Sequence, residues 1–180
     1  MKKAAMFVTD GFEEIEAVGT FAILRRGGVR VDVYSLLDDD ATGRFGLTCT
    51  NLKRFSQFDG AQYDALVLPG GPEYKAMEAS AEVQRHIRAF WDAGKLVCAI
   101  CAAPTILGHA GYLKGKNYTC FTTMNEDFGG VYHAQYAVRD GHLITGRSAA
   151  ATVDFAFLVL EALEGPEKAE EIKQQIYYEA

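Results

Sequence analysis

The chain has 180 residues, 49% of them hydrophobic, which suits one well-buried domain and speaks against a disordered chain. A formal net charge of -6 with no basic stripe argues against nucleic acid or an anionic membrane as a partner. No apolar run reaches membrane-spanning length, Met1-Lys2-Lys3 does not open a secretory signal, and four cysteines (Cys49, Cys98, Cys101, Cys120) fit a reducing cytoplasm better than a disulfide scaffold.

Residues 4–9 (AAMFVT) read as a buried first strand, broken by Asp10-Gly11. An amphipathic helix is expected over 12–26, with Ile15, Val18, Phe21, Ala22 and Leu24 as its apolar positions and Gly27-Gly28 at its end. Residues 29–35 form a second strand, Asp38-Asp39-Asp40 a solvated acidic loop, and 45–50 a short hairpin strand. A third main strand, 65–68, stops at Pro69-Gly70-Gly71-Pro72. A helix over 81–93 carries Val83, His86, Ile87 and Phe90 on one face, and Gly94 ends it. The run 96–100 is apolar and short enough for a buried strand, and a short helix begins beyond Pro104. A strand over 117–121, a hairpin over 136–145 turning at Asp140-Gly141, a long helix over 149–164 and a charged helix over 167–178 complete the chain. Strands alternating with helices imply an α/β fold, a mostly parallel sheet covered on both faces, in one domain spanning 1–180.

In such sheets ligands bind beyond the carboxyl ends of the strands, and three strand ends converge there. Cys101 stands where a strand turns abruptly into a helix, the geometry of a nucleophile elbow. A helix N-terminus beside the sulfur favours thiolate; the same position also suits a small buried hydrophobe, and position alone does not separate the two. Glu16 follows the first strand among apolar neighbours, where a raised pKa would let it hold a proton, although three acids at 13, 14 and 16 also read as a solvated face. Gly70-Gly71 lets backbone N–H groups approach a ligand, or is a plain turn. Cys98 and Cys101 spell C-x-x-C, but an odd spacing along a strand sends them to opposite faces, and no histidine or second cysteine pair completes a zinc site. His86 reads as surface or half-buried, His109 as packed, and no histidine adjoins Cys101.

Three motifs in order, G-F-E-E-I-E at 11–16, L-P-G-G at 68–71 and A-I-C-A-A-P-T at 99–105, resemble the ThiJ/PfpI superfamily. Within it the chain is most similar to the branch of the Parkinson-associated protein deglycase and its bacterial relatives, which T-G-R-S at 145–148 also fits. The resemblance covers essentially the whole chain. It implies a flavodoxin-like three-layer sandwich, a homodimer, no cofactor, and Cys101 as the reactive cysteine with Glu16 as a protonated acid hydrogen-bonded to it. It implies further that Gly71 and Ala102 present N–H groups to an oxyanion, that Gly70 allows the close approach, and that Arg26 and Arg44 line an anion site near the cleft. Two departures stand out. Members with a firm triad carry histidine directly after the cysteine, where this chain has Ala102, and the branch's cleft histidine aligns near Phe121. The functions implied are action on small reactive carbonyls, or on their adducts with thiols and amines such as glycated protein. The alternative is a redox sensor or chaperone using the same thiol. A cysteine protease lacks its histidine, and an amidotransferase lacks a downstream His-x-Glu pair.

Overall fold

Alternation inside the central strands sets the architecture. In the computed structural model, which describes residues 1–179, the chain runs β1 (Lys3–Val8), α1 (Glu14–Arg26), β2 (Arg30–Ser35), a hairpin of β3 (Asp40–Thr42) and β4 (Thr48–Thr50), β5 (Lys53–Arg54) and β6 (Ala65–Leu68). It continues through α2 (Tyr74–Ala79), α3 (Ala81–Asp92), β7 (Leu96–Ile100), α4 (Pro104–His109), β8 (Asn117–Tyr118), β9 (Val131–Tyr132), β10 (Ala137–Asp140), β11 (Leu143–Gly146), α5 (Thr152–Glu164) and α6 (Pro166–Gln175). Ala4, Met6 and Val8 of β1, Val67 of β6 and Ile100 of β7 join one apolar cluster with α1, α5 and α6. Their sequence neighbours Ala5, Phe7, Leu66, Leu68, Val97 and Ala99 join the other, with α2, α3 and α4. A sheet apolar on both faces must be covered on both, and it is.

The main sheet has the order β10-β11-β7-β6-β1-β2-β5. All neighbours pair in parallel except β10 with β11. From β1 the chain steps to β2 on one side and later to β6 on the other, so the strand order reverses between β1 and β6. The crevice at their carboxyl ends is where a doubly wound sheet leaves room for a ligand.

Several elements differ from the sequence reading. α1 starts at Glu14, not Phe12, because Glu13 caps it by accepting from the Glu16 N–H at 2.9 Å. Its buried face is Glu16, Ala17, Thr20, Ile23 and Leu24, whereas Ile15, Val18 and Phe21 are 59%, 43% and 36% exposed. Glycines stand where α5 packs closest: a Cβ on Gly19 would come within 2.8 Å of Thr152 Cγ2, and one on Gly27, at the helix end, within 2.2 Å of Leu160 Cδ1. Asp40 is exposed but belongs to β3, paired with Thr50. The strand expected over 117–121 keeps its pairing only at Asn117 and Tyr118. The last helix runs from Pro166 to Gln175. Among the described residues no helix is long and apolar enough to cross a membrane.

Candidate active site at the crevice

Each of the three strands beside the crevice delivers one part. β7 ends at Ile100 and Cys101 takes φ +65°, a left-handed conformation a non-glycine residue holds at a cost of about 1–3 kcal/mol and only where its surroundings impose it. They do so from both sides: the Cys101 N–H donates to the Gly146 carbonyl at 2.9 Å, and the Cys101 carbonyl accepts from the Phe121 N–H at 2.7 Å. The kinked residue ends the strand's alternation. Cys101 therefore packs, half-buried, against the α1–α5 cluster that also holds Cys98, not on the opposite face as the odd spacing predicts. Cys98 is fully enclosed, and all four cysteines are free.

Glu16, one turn into α1, is completely buried. Its Oε2 accepts from the Gly70 N–H at 2.7 Å, its Oε1 has no hydrogen-bond partner among the described residues, and the Cys101 thiol is the carboxyl's hydrogen-bonding neighbour on the side of the crevice. A Cβ built on Gly70 would lie 2.7 Å from both Cys101 Cβ and Glu16 Oε2 and 2.8 Å from the Ile100 carbonyl, so only glycine fits between thiol and acid. Gly71 has φ +96° and is pressed against the Gly11–Glu13 backbone. Neither the Gly71 nor the Ala102 N–H has a backbone acceptor among the described residues, and that of Ala102 faces the Cys101 sulfur. N–H groups not spent on backbone acceptors are the kind of donor an oxyanion requires.

Burial dominates the electrostatics. It pushes the Glu16 carboxyl up to about 7, against the bonds from Cys101 and Gly70 that favour the carboxylate. Burial, then the Glu16 charge, drive the Cys101 thiol well above its ordinary range, with the Ala102 N–H pulling the other way. This reverses the sequence expectation of a thiol lowered by a helix start: α4 has only six residues, and an acid faces the sulfur. Burial thus disfavours charge on both members of the pair.

A second buried acid escaped the sequence reading. Glu73, just past the Gly70-Gly71 turn, is 1% exposed; its Oε2 accepts from the Thr9 N–H at 2.6 Å and its Oε1 has no partner among the described residues. Burial raises its pKa well above the carboxylate range, and the nearby Glu16 charge adds to this. Flanked by Pro72 and Tyr74 in a turn, it shows no pattern that separates it from a solvated acid.

The structure does not bring both arginines to the crevice. Arg44, on the β3–β4 turn, has its N–H on the Phe12 carbonyl at 2.9 Å and its charge acts on Glu16. Arg26 stands at the far end of α1, ten residues from Glu16 and so about 15 Å along the axis, and is exposed. His109 is exposed rather than packed, bridging Glu78 and Glu126. His86 is half-buried as expected, edge-on to Phe55 and Phe58. The position expected to hold the cleft histidine, Phe121, is bonded by its backbone to the elbow, and its ring is 41% exposed. Among the described residues no group of His, Cys, Asp and Glu is placed to hold a metal ion.

A model of the DJ-1/PfpI family matches residues 2–162. The chain belongs to the DJ-1/PfpI family. Protein dj-1beta of Drosophila melanogaster is 34% identical over 179 residues, covering 95% of this chain and 94% of that one. Its crystal structure superposes with a TM-score of 0.92, covering 99% of each chain at 30% identity. A mutant of the DJ-1 superfamily protein STM1931 from Salmonella typhimurium superposes with a TM-score of 0.91 over 100% of both chains at 33% identity. Deglycase TK1284 of Thermococcus kodakarensis is 30% identical over 148 residues, 81% of this chain and 89% of that protein. The DJ-1-like fold is thus shared over the full length.

Proposed function

We propose that this DJ-1/PfpI protein acts on small reactive carbonyls, or on the adducts they form, through Cys101. One observation carries the reading: the strained Cys101 hydrogen-bonds a buried acid, and neither the Gly71 nor the Ala102 N–H is spent on a backbone acceptor among the described residues. With its pKa near 7, Glu16 is part carboxylate and part acid at neutral pH, the best poise for moving a proton both ways. The carboxylate takes the thiol proton as sulfur attacks the aldehyde carbon. The carbonyl π electrons move to oxygen, held by the Gly71 and Ala102 N–H groups, and Glu16 returns the proton to give a hemithioacetal. For a 2-oxoaldehyde, moving the C1 proton to C2 through an enediol yields a thioester. Water then releases the hydroxy acid and the free thiol, for a net addition of one water. A relative named a deglycase supports this class of substrate. With no histidine at 102 or 121, Glu16 is the acid that hydrogen-bonds the sulfur, and the missing histidines count against a protease.

The test is methylglyoxal consumption with lactate formation, in wild type and Cys101→Ala. Loss of turnover in the variant is expected; turnover within a factor of two of wild type would remove the mechanism.

A second reading, oxidation sensing, draws on the unpaired Glu16 Oε1 beside the thiol. Two equivalents of hydrogen peroxide would convert the thiol to a sulfinic acid and two waters, and a protonated Glu16 would donate to one sulfinate oxygen. Intact-mass analysis after mild peroxide should find two added oxygens on Cys101; modification of Cys49 first, with Cys101 untouched, would remove this reading.

The exposed face of α1 (Ile15, Val18, Phe21) adjoins Phe45 and Leu47 of the hairpin turn, 75% and 51% exposed, and an apolar hollow of about 340 Å³ lined in part by Phe12, Val33, Cys49 and Leu52. We propose that a second copy covers this face, giving a homodimer in a reducing cytoplasm where the four thiols stay unpaired.

A further inference from the structure

Beside the elbow, on the side away from Glu16, lies a recess of about 280 Å³ lined by Phe121, Thr122, Thr123, Tyr136, Arg147 and Ser148. Two of these residues are tied to Cys101 through the backbone. Phe121 donates its N–H to the Cys101 carbonyl, and Arg147 directly follows Gly146, whose carbonyl accepts the Cys101 N–H. The Arg147 guanidinium is held in place but not neutralised. Its Nε donates to Thr122 Oγ1 at 2.9 Å and its Nη1 to the Ala134 carbonyl at 3.3 Å, both uncharged acceptors. No carboxylate lies within ion-pairing distance of it among the described residues, although the chain carries 24 Asp and Glu. Its Nη2 makes no hydrogen bond there. The half-buried guanidinium, anchored through Nε and Nη1, thus keeps its Nη2 donors for an anion. The acids of the crevice all follow the strands on the opposite side of β7 from β11: Glu13 and Glu16 come at the start of α1 after β1, and Glu73 in the turn after β6.

We propose that Arg147 selects substrates carrying a carboxylate, so that the preferred carbonyl compounds are oxo acids, whose aldehyde or ketone group reaches Cys101 while the carboxylate rests on the guanidinium. This assignment rests on Cys101 as the reactive group. It makes Arg147 a specificity residue and leaves the attack on the carbonyl to Cys101, Glu16 and the two N–H groups. Arg44, on the other side of the crevice, is the competing cation. It is exposed and lies over the Phe45 ring at 4.8 Å, on the face assigned above to a second copy.

The experiment compares Cys101 alkylation by acids and by their matched amides: iodoacetate against iodoacetamide, and 3-bromopropionate against 3-bromopropionamide. Site-resolved mass spectrometry follows the rates in wild type, Arg147→Gln, Arg147→Lys and Arg44→Gln. A charge-assisted contact should raise the acid-to-amide rate ratio for at least one pair by about five-fold or more over Arg147→Gln. Arg147→Lys, which keeps the charge, should restore part of the preference, and Arg44→Gln should leave it at the wild-type value. A ratio equal in wild type and Arg147→Gln for both pairs would overturn the proposal, as would a ratio lost in Arg44→Gln and kept in Arg147→Gln. Because alkylation needs no turnover, a Cys101→Ala enzyme that still consumed methylglyoxal would refute the carbonyl mechanism without touching this ratio. Turnover of glyoxylate against methylglyoxal then reads the same selectivity in catalysis: kcat/KM for glyoxylate should fall about five-fold or more in Arg147→Gln, with methylglyoxal unchanged.

Discussion

Replacing Glu16 with glutamine removes a buried carboxyl while keeping an acceptor for the Gly70 N–H, so its effect on stability is calculable. Glu16 titrates near 7 in the folded protein and at its ordinary 4.5 in the unfolded chain. In that interval the folded state binds the extra proton, so stability is fully present below 4.5 and is lost as pH rises through 7. The carboxyl costs about 3.3 kcal/mol at pH 8 and about 0.8 kcal/mol at pH 5, a difference of about 2.5 kcal/mol. Glutamine has no such dependence. Urea unfolding at the two pH values should therefore show the wild type losing about 2.5 kcal/mol more than Glu16→Gln between pH 5 and pH 8. The same pair in a Cys101→Ala background should show the difference persisting, because the thiol's hydrogen bond lowers the Glu16 pKa and its loss lets it rise. Pairs that agree within about 0.5 kcal/mol at both pH values would mean the acid does not hold its proton in the folded state, and its proposed role as proton carrier for Cys101 would fall with it.

Gly70→Ala should destabilise the fold by about 1–3 kcal/mol and abolish Cys101-dependent turnover, since the new methyl has no room between thiol and acid; thermal unfolding and kinetics measure both. Phe21→Asp should convert a dimer to a monomer in sedimentation velocity without loss of helical circular dichroism. His109, whose ring hydrogen-bonds to Glu78 and Glu126, has its pKa raised by Glu78 above the ordinary 6.5. Its NMR titration midpoint should lie above that value and fall in Glu78→Gln, so the bridge between α2 and the 125–128 segment weakens as pH rises through the His109 midpoint.

The sheet was legible because β1, β6 and β7 are short unbroken apolar runs ended by Asp10-Gly11, Pro69-Gly70 and the Cys101 turn. The thiol, the acid and the Gly-Gly turn could be placed at one edge from order alone. What could not be read were properties that depend on a neighbour from elsewhere in the chain. The buried face of α1 is Ala17, Thr20 and Ile23 because α5 supplies the bulk, and periodicity in α1 carries no record of α5. The direction of the Cys101 shift depends on how far burial exceeds one N–H, which spacing cannot express. Glu73 becomes a buried acid only because the Gly11 loop lies over it, and α2 hides behind a Pro-Gly-Gly-Pro run that reads as turn. Parity failed at Cys101 for a single reason: one residue of positive φ ends the strand it was counted along.

The elbow is gripped by carbonyl and amide from Gly146 and Phe121, while Thr122, Thr123 and Tyr136 line the Arg147 recess beside those anchors. Reactivity and selectivity are thereby housed in separable modules, a fixed hearth and an exchangeable screen. Exchanging Thr122, Thr123 and Tyr136 between the same two anchors would retune which molecules are admitted while leaving the sulfur's attitude untouched.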